Sequence, residues 1–264
     1  MRHFAKAGFS NITSTMILSS VLLSILITAS YLSNGVLSTQ IAASEFKVAE
    51  NLMVSIEREI HNLIFKAGSS TIIRASFQTT APGFTRNGST LNVSFAGSST
   101  RNYSIPINFF NIEGRQEITG SFNYTLQGNS SLLISSYDSS FGRVNLTKPR
   151  NWRVSLDYQR VQYTYTGRTW LYDGSTYAQT NTLEVTAILL DFGEFNVTQK
   201  SAILIANEGI DSETFTMTGN FALSAVFSNS TATIHLSDIG GDQSCGTLVN
   251  FHRVHIRISV LEGE

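Results

Sequence analysis

The chain has 264 residues and a net charge of −1 at pH 7, and only 14% of its residues are charged, against about 25% in ordinary soluble domains. A near-neutral chain without a basic stripe argues against a nucleic-acid partner. The single cysteine, Cys245, excludes an intramolecular disulfide and is expected to be a small buried hydrophobe.

The first predicted element is an uncharged helix near the N-terminus. Residues 7–44 contain no charged residue, and the stretch from Ile12 to Leu32 is densely apolar. As a helix this stretch is about 30 Å long, which matches the hydrocarbon core of a membrane. Arg2 and Lys6 precede it, so the N-terminus is expected to be cytoplasmic and the bulk of the chain extracellular. The sequence therefore predicts a single-pass membrane protein.

Small polar residues recur every four positions in this helix, at Ser20, Ser24 and Thr28. Such a stripe lets helix backbones approach closely, and its hydroxyls can bond across helices. Two interpretations stay open: a packing face for other copies of the helix, or scattered serines in a simple anchor.

The helical pattern continues beyond the apolar stretch as an amphipathic helix over residues 38–67. Its apolar stripe consists of Ile41, Val48, Leu52, Ile56, Ile60 and Leu63. Charged residues are expected on its other faces, at Glu45, Lys47, Glu50, Glu57, Arg58 and Glu59. Gly68 is expected to stop the helix, and the apolar stripe needs a partner, most simply the domain that follows.

The two-part helix follows a charged stub and the run Lys6-Ala7-Gly8-Phe9. This arrangement resembles the N-terminal region of archaeal type IV pilin-like proteins. The resemblance covers residues 1–66. It implies a leader, residues 1–8, that a prepilin peptidase removes after a Gly or Ala following a charge; cleavage after Ala7 or after Gly8 fits. It also implies that a helix over residues 9–37 is retained in a membrane or filament core.

One departure concerns the glutamate that many bacterial pilins carry five residues into the mature chain. Asn11, Ile12 and Thr13 occupy that region here, and archaeal members often lack the glutamate. Two other identities stay open for the segment: a signal anchor kept whole, or a signal peptide removed near residues 28–30.

From Thr71 onward the pattern has the period of two that is typical of strands, which predicts an all-β, sandwich-like ectodomain over residues 68–264. The candidate strands are 71–78, 90–96, 103–109, 118–126, 131–136, 153–165, 169–173, 176–180, 182–190, 201–207, 214–218, 221–227, 231–236 and 251–261. Asp173-Gly174 and Thr166-Gly167 are hairpin signals. Two β modules dividing near residues 148–150, or a single elaborated sandwich, both fit.

Asn-x-Ser/Thr sequons are about twice as frequent as the composition predicts by chance. Eight lie in the ectodomain, beginning at Asn87, Asn92, Asn102, Asn123, Asn129, Asn145, Asn196 and Asn229. They predict an N-glycosylated exterior, and a chance product of a polar surface is the alternative.

No catalytic or metal-binding motif is present in the sequence, so we expect no enzymatic activity, metal or cofactor. His252 and His255 are expected on opposite faces of a strand, and Asp238–Asp242 is expected to be a plain turn. An aromatic cluster is more suggestive. Tyr163, Tyr165, Trp170 and Tyr172, with Tyr158 and Tyr177 nearby, are expected to form cross-strand pairs or a contact platform for glycans or a neighbouring subunit.

The predicted protein is α+β: a long hydrophobic and amphipathic helix followed by an all-β ectodomain. We expect a structural or adhesive pilin-like protein at the cell surface. Its expected partners are membrane lipid, prepilin peptidase, like or related pilin subunits and surface glycans. The alternative is a signal-anchored surface binding domain, glycan-binding or receptor-like, that forms no filament.

Overall fold

The computed structural model of the protein describes residues 4–77, 80–114, 122–136, 140–148, 151–172, 174–198 and 200–263, with side chains from Thr13 onward except that of Asn87. One helix, α1 (Phe4–Leu63), runs through Gly35 without interruption and is followed by strands. In chain order these are β1 (Ser70–Ser76), β2 (Thr80–Ala96), β3 (Thr100–Gly114), β4 (Asn123–Gln127), β5 (Leu133–Ser135), β6 (Arg143–Thr147), β7 (Arg153–Asp157), β8 (Val161–Tyr172), β9 (Tyr177–Phe195), β10 (Lys200–Met217), β11 (Ala222–Phe227), β12 (Ser230–His235), a 3₁₀ helix (Leu236–Ile239) and β13 (Gly246–Glu262).

The strands form two sheets, which confirms the predicted α+β class. Sheet A has the order β1-β10-β13-β9-β8-β5, and sheet B has the order β12-β11-β2-β3-β7-β6-β4. In sheet A, β13 pairs with β9 and β5 with β8 in parallel, whereas the pairings within sheet B are antiparallel.

The chain separates into two compact units, Met1–Ser44 and Glu45–Glu264. The second unit contains both sheets together with the C-terminal end of α1. Strands on both sides of residues 148–150 belong to both sheets, and β6 and β7, which flank this point, pair with each other. The segments before and after residues 148–150 therefore share both sheets within one compact unit.

The end of α1 packs into the first of two clusters of buried side chains. Most of the predicted stripe is buried there, together with Ala49 and Met53, whereas Ile41 and Val48 are exposed. The helix ends at Leu63 rather than at residue 67. Glu50 and Glu57, which were expected on faces other than the apolar stripe, are also buried. The physical reason is that the β domain covers more of the helix than an apolar stripe and supplies partners for both carboxylates.

The long strands change the face that they bury partway along their length. In β13, Val249 and Phe251 lie in the second cluster, whereas Val254 and Ile256 lie in the first. Because successive side chains point to opposite faces of a sheet, odd-numbered residues are buried in the first half of β13 and even-numbered residues in its second half. Val254, Ile256, Ile258 and Val260 are all buried, which fits the period of two predicted for residues 251–261.

Bulges explain why several predicted strands are halves of longer ones. The pairing register shifts between Arg86 and Thr90, Tyr165 and Gly167, and Asn207 and Gly209. A bulge accommodates an extra residue without ending the ladder, so polar or glycine residues here do not mark turns. The Thr166-Gly167 hairpin was therefore wrong, because this pair lies inside β8 opposite β9.

Other boundaries differ more locally. The Asp173-Gly174 signal does mark a hairpin, since Tyr172 pairs with Tyr177, but Asp173 itself lies outside the described residues. The predicted strand 153–165 is two strands, β7 and β8. Strand β6 was missed. The start of the predicted strand 118–126, residues 118–121, lies outside the described residues.

Candidate functional surfaces

The N-terminal part of α1 is long and apolar enough to cross a membrane. Its large apolar side chains from Met16 to Leu37 are exposed. The hydroxyls of Ser20, Ser24 and Thr28 donate to the carbonyl oxygens of Ile17, Ser20 and Ser24 at 2.9, 2.9 and 2.8 Å. Each donor is satisfied within its own helix, which suits an apolar medium. Packing of this stripe against other helices stays a prediction.

The predicted leader residues lie at the start of α1. Lys6, Ala7, Gly8 and Phe9 have helical backbone, and their side chains are outside the described part of the chain. Cleavage after Ala7 or Gly8 therefore stays a prediction.

The C-terminal end of α1 is held to sheet A by Asn207. Its side-chain amide nitrogen donates to the carbonyl oxygens of Leu63 at 2.7 Å and Ile64 at 3.1 Å. Its carbonyl oxygen accepts from the backbone N–H of Gly209 at 3.0 Å, across the bulge in β10. The last carbonyls of a helix have no partner within the helix, so a side chain of the sheet caps this one. Sequence analysis missed this role, although Asn-Glu-Gly within an apolar strand is a signal for a bulge.

Glu57 links the same helix to sheet B. It is only 2% exposed. Its carboxylate accepts from the Gln127 side chain at 2.7 Å, the Gly142 backbone N–H at 3.0 Å and the Ser140 hydroxyl at 3.2 Å. A buried carboxylate with several donors is costly to separate from them, so Glu57 fixes where the helix sits on the sheet.

A second buried acid, Asp157, lies in β7. Its carboxylate accepts from Arg143 at 3.2 Å and from the Asn145 amide at 3.1 Å. Burial raises the pKa of Asp157 above its ordinary value, although the Arg143 guanidinium acts in the opposite direction. The neighbouring Tyr158 packs edge-on against Phe141 at 5.9 Å between ring centroids and is buried, so it does not belong to the aromatic cluster predicted around β8.

The eight ectodomain sequons are unevenly distributed. Asn196 directly follows β9 of sheet A, and the other seven lie in strands of sheet B or in the segments that follow them. The exposed ones are Asn92, Asn102, Asn123, Asn129, Asn196 and Asn229. Asn145 is half-buried and its amide nitrogen is engaged by Asp157, while the side chain of Asn87 lies outside the described part of the chain. Glycosylation at any of them stays a prediction.

The aromatic cluster is only partly on the surface. Trp170, Tyr172 and Tyr177 are 66%, 60% and 70% exposed at the tip of the β8–β9 hairpin. Tyr163 and Tyr165 are half-buried and pack against the second core cluster, and the Tyr165 hydroxyl donates to Asn181 at 3.1 Å. The exposed set therefore contains two of the four predicted platform residues and adds Tyr177.

A polar network joins three strands of sheet A. The Ser212 hydroxyl lies 2.7 Å from Nδ1 of His252, and Nε2 of His252 lies 2.8 Å from a carboxylate oxygen of Glu184. The other oxygen of Glu184 accepts from Asn250 at 2.6 Å. A hydroxyl, an imidazole and a carboxylate are thus linked by hydrogen bonds, and these bonds tie β10, β13 and β9 together. His255 has a separate partner, Asp211, at 3.0 Å.

Among the described residues, no group of three or more His, Cys, Asp or Glu side chains could hold a metal ion. Asp238 accepts from the backbone N–H of His235 at 2.8 Å and caps the 3₁₀ helix, and Asp242 accepts from the backbone and hydroxyl of Ser244. Cys245 is half-buried rather than buried as expected, because it lies in the turn before β13.

Comparison with known proteins adds no identity: no family model, curated protein or solved structure matches the chain.

Proposed function

We propose that the chain is a membrane-anchored surface protein similar to archaeal type IV pilins. Its N-terminal helix is retained after the leader is cut, and it assembles with like or related subunits or rests in the membrane. The β domain lies outside the cell in a structural or adhesive role.

The observation that carries this proposal is the change in character along one helix. Residues 7–44 have no charge, and the large apolar side chains from Met16 to Leu37 are exposed. The end of α1, in contrast, is buried among strands and capped by Asn207. A helix with one part made for an apolar medium and the other fixed to a β domain is what a retained anchor requires.

The proposal is tested in native cells by three linked measurements. The protein should stay with membranes or sheared filaments after alkaline carbonate washing, and external protease should reach the β domain in intact cells. Electron microscopy with antibody against the β domain should then label surface filaments. Recovery in the soluble cytoplasmic fraction would contradict the proposal.

The second candidate function is a signal-anchored surface binding domain that forms no filament. The exposed aromatic side chains at the β8–β9 tip favour it, because large exposed aromatic patches mark contact surfaces. Membrane retention with Met1 intact and no labelled filaments would support this candidate over the first.

A further inference from the structure

The tip of the β8–β9 hairpin presents three aromatic rings on one face. Trp170 and Tyr172 are two residues apart in β8 and so point the same way. Tyr177 pairs with Tyr172 across the hairpin, and the two ring centroids are 5.1 Å apart with planes tilted by 43°. All three side chains are more than half exposed.

This face is the continuation of the side of sheet A that buries the core. Leu183 and Val185 of β9 are fully buried, and Asn181 lies two residues before Leu183 on the same face. Arg168 pairs with Asn181 and shares that face, and Trp170 and Tyr172 follow it along β8. Because of the bulge at Tyr165–Gly167, Arg168 and the residues that alternate with it in β8 face the same side of the sheet as Leu183. At the hairpin tip this side extends beyond the core, and the described residues do not cover it.

Among the described residues, the polar side chains beside the rings end in planar groups, and their two charges cancel. Nη1 of Arg168 lies 3.3 Å from a carboxylate oxygen of Asp242, and Gln179 pairs with Trp170 across the hairpin. Hydrogen bonds from Ser244 lower the pKa of Asp242, so this acid stays ionised and cancels the charge of Arg168. A surface on which the described charges cancel does not favour nucleic acid or anionic lipid, because both need uncompensated cations.

We propose, resting on the surface role given above, that this hairpin tip binds a neutral saccharide. The negative face of an aromatic ring suits the C–H edge of a sugar ring, and guanidinium, carboxylate and amide groups suit its hydroxyls. Access is open as well: β8 and β9 contain no sequon, and Asn196, just beyond the other end of β9, lies about 60 Å away along the strand.

Tryptophan fluorescence gives a direct test, because the chain has two tryptophans and only one is accessible. Trp170 is 66% exposed and Trp152 is 1% exposed. The full-length protein, in a detergent without a sugar head group, is mixed with laminarin, xylan or mannan and quenched with acrylamide. We expect at least one of these neutral polysaccharides to shield Trp170, reducing quenching to the level of the Trp170→Phe variant.

Variants then locate the site. Tyr172→Ala and Arg168→Ala should each weaken binding about tenfold, whereas Phe65→Ala, which removes an equally exposed ring elsewhere, should leave it unchanged. The inference is overturned if no polysaccharide shields Trp170, or if the variants bind as well as the wild type. It is also overturned if lipid vesicles or higher protein concentration alone shield Trp170. Saccharide binding by a chain that proves to have no retained anchor would remove the proposed function and leave this site intact.

Discussion

Replacing Asn207 should loosen the end of α1 from sheet A, and the choice of replacement tests why. In Asn207→Ala, the carbonyl oxygens of Leu63 and Ile64 and the Gly209 N–H each lose one hydrogen bond. The Leu63 carbonyl keeps only the bond from the Lys66 backbone N–H. At about 1 kcal/mol for each net hydrogen bond, with an added cost for groups left unpaired, we expect a loss of about 3–4 kcal/mol in the free energy of unfolding.

The nearly isosteric Asn207→Asp should be worse than alanine at pH 7. It keeps an acceptor for Gly209 but places a carboxylate oxygen against carbonyls at the negative end of a helix. Its carboxyl would be easier to protonate in the folded state than in the unfolded state. The deficit should therefore shrink as the pH falls from 7 towards 4, since the protonated acid can donate one hydrogen bond.

Chemical unfolding followed by Trp152 fluorescence is a suitable assay, because the Trp152 ring packs edge-on against Phe46 of α1 at 5.0 Å. Asn220→Asp, at an exposed turn, is the matched control and should be close to neutral. If Asn207→Asp is as stable as the wild type at pH 7, or more stable than Asn207→Ala, the capping role is refuted.

Three further predictions concern the β domain. Because burial raises the pKa of Asp157, the folded state holds its proton more tightly; the wild type should gain stability relative to Asp157→Asn as the pH falls from 7 to 4, and a flat difference in unfolding curves would contradict this. A Cβ on Gly142 would lie 2.7 Å from Cγ of Glu57, so Gly142→Ala should lose about 1–3 kcal/mol in thermal or chemical unfolding; an unchanged midpoint would refute the close packing. Ser212→Ala should not change the rate of p-nitrophenyl acetate hydrolysis above background, and covalent labelling of Ser212 by a fluorophosphonate would instead show an activated nucleophile.

The sequence predicts the elements that depend on local pattern and misses those set by long-range contacts. The uncharged helix and the alternation of Val254 to Val260 follow from periodicity within one segment, and both are present. Whether β9 or β10 continues through a bulge depends on its pairing with neighbouring strands. The sequence of one segment does not reveal that pairing. A change of buried face within β13 likewise reflects two cores that exist only once the sheets have formed.

The sequence likewise predicts part of the candidate surfaces and misses the rest. Exposed Trp170 and Tyr172 could be proposed from composition and hairpin signals. The burial of Tyr158 and the half-burial of Tyr163, however, depend on which side of a sheet meets the core. The helix pattern places Glu57 off the apolar stripe and gives no sign of its burial. Its hydrogen-bond donors are more than 60 positions away in the sequence. Asn207 caps a helix 143 positions before it, a distance no local motif spans.

The most direct measurement of the central claim is the N-terminal sequence of the mature protein purified from native membranes. A start at Gly8 or Phe9, with the apolar helix retained, is the result that the pilin-like account predicts. A start beyond Ser30 would mean that the helix is a discarded signal peptide, and this would contradict the account.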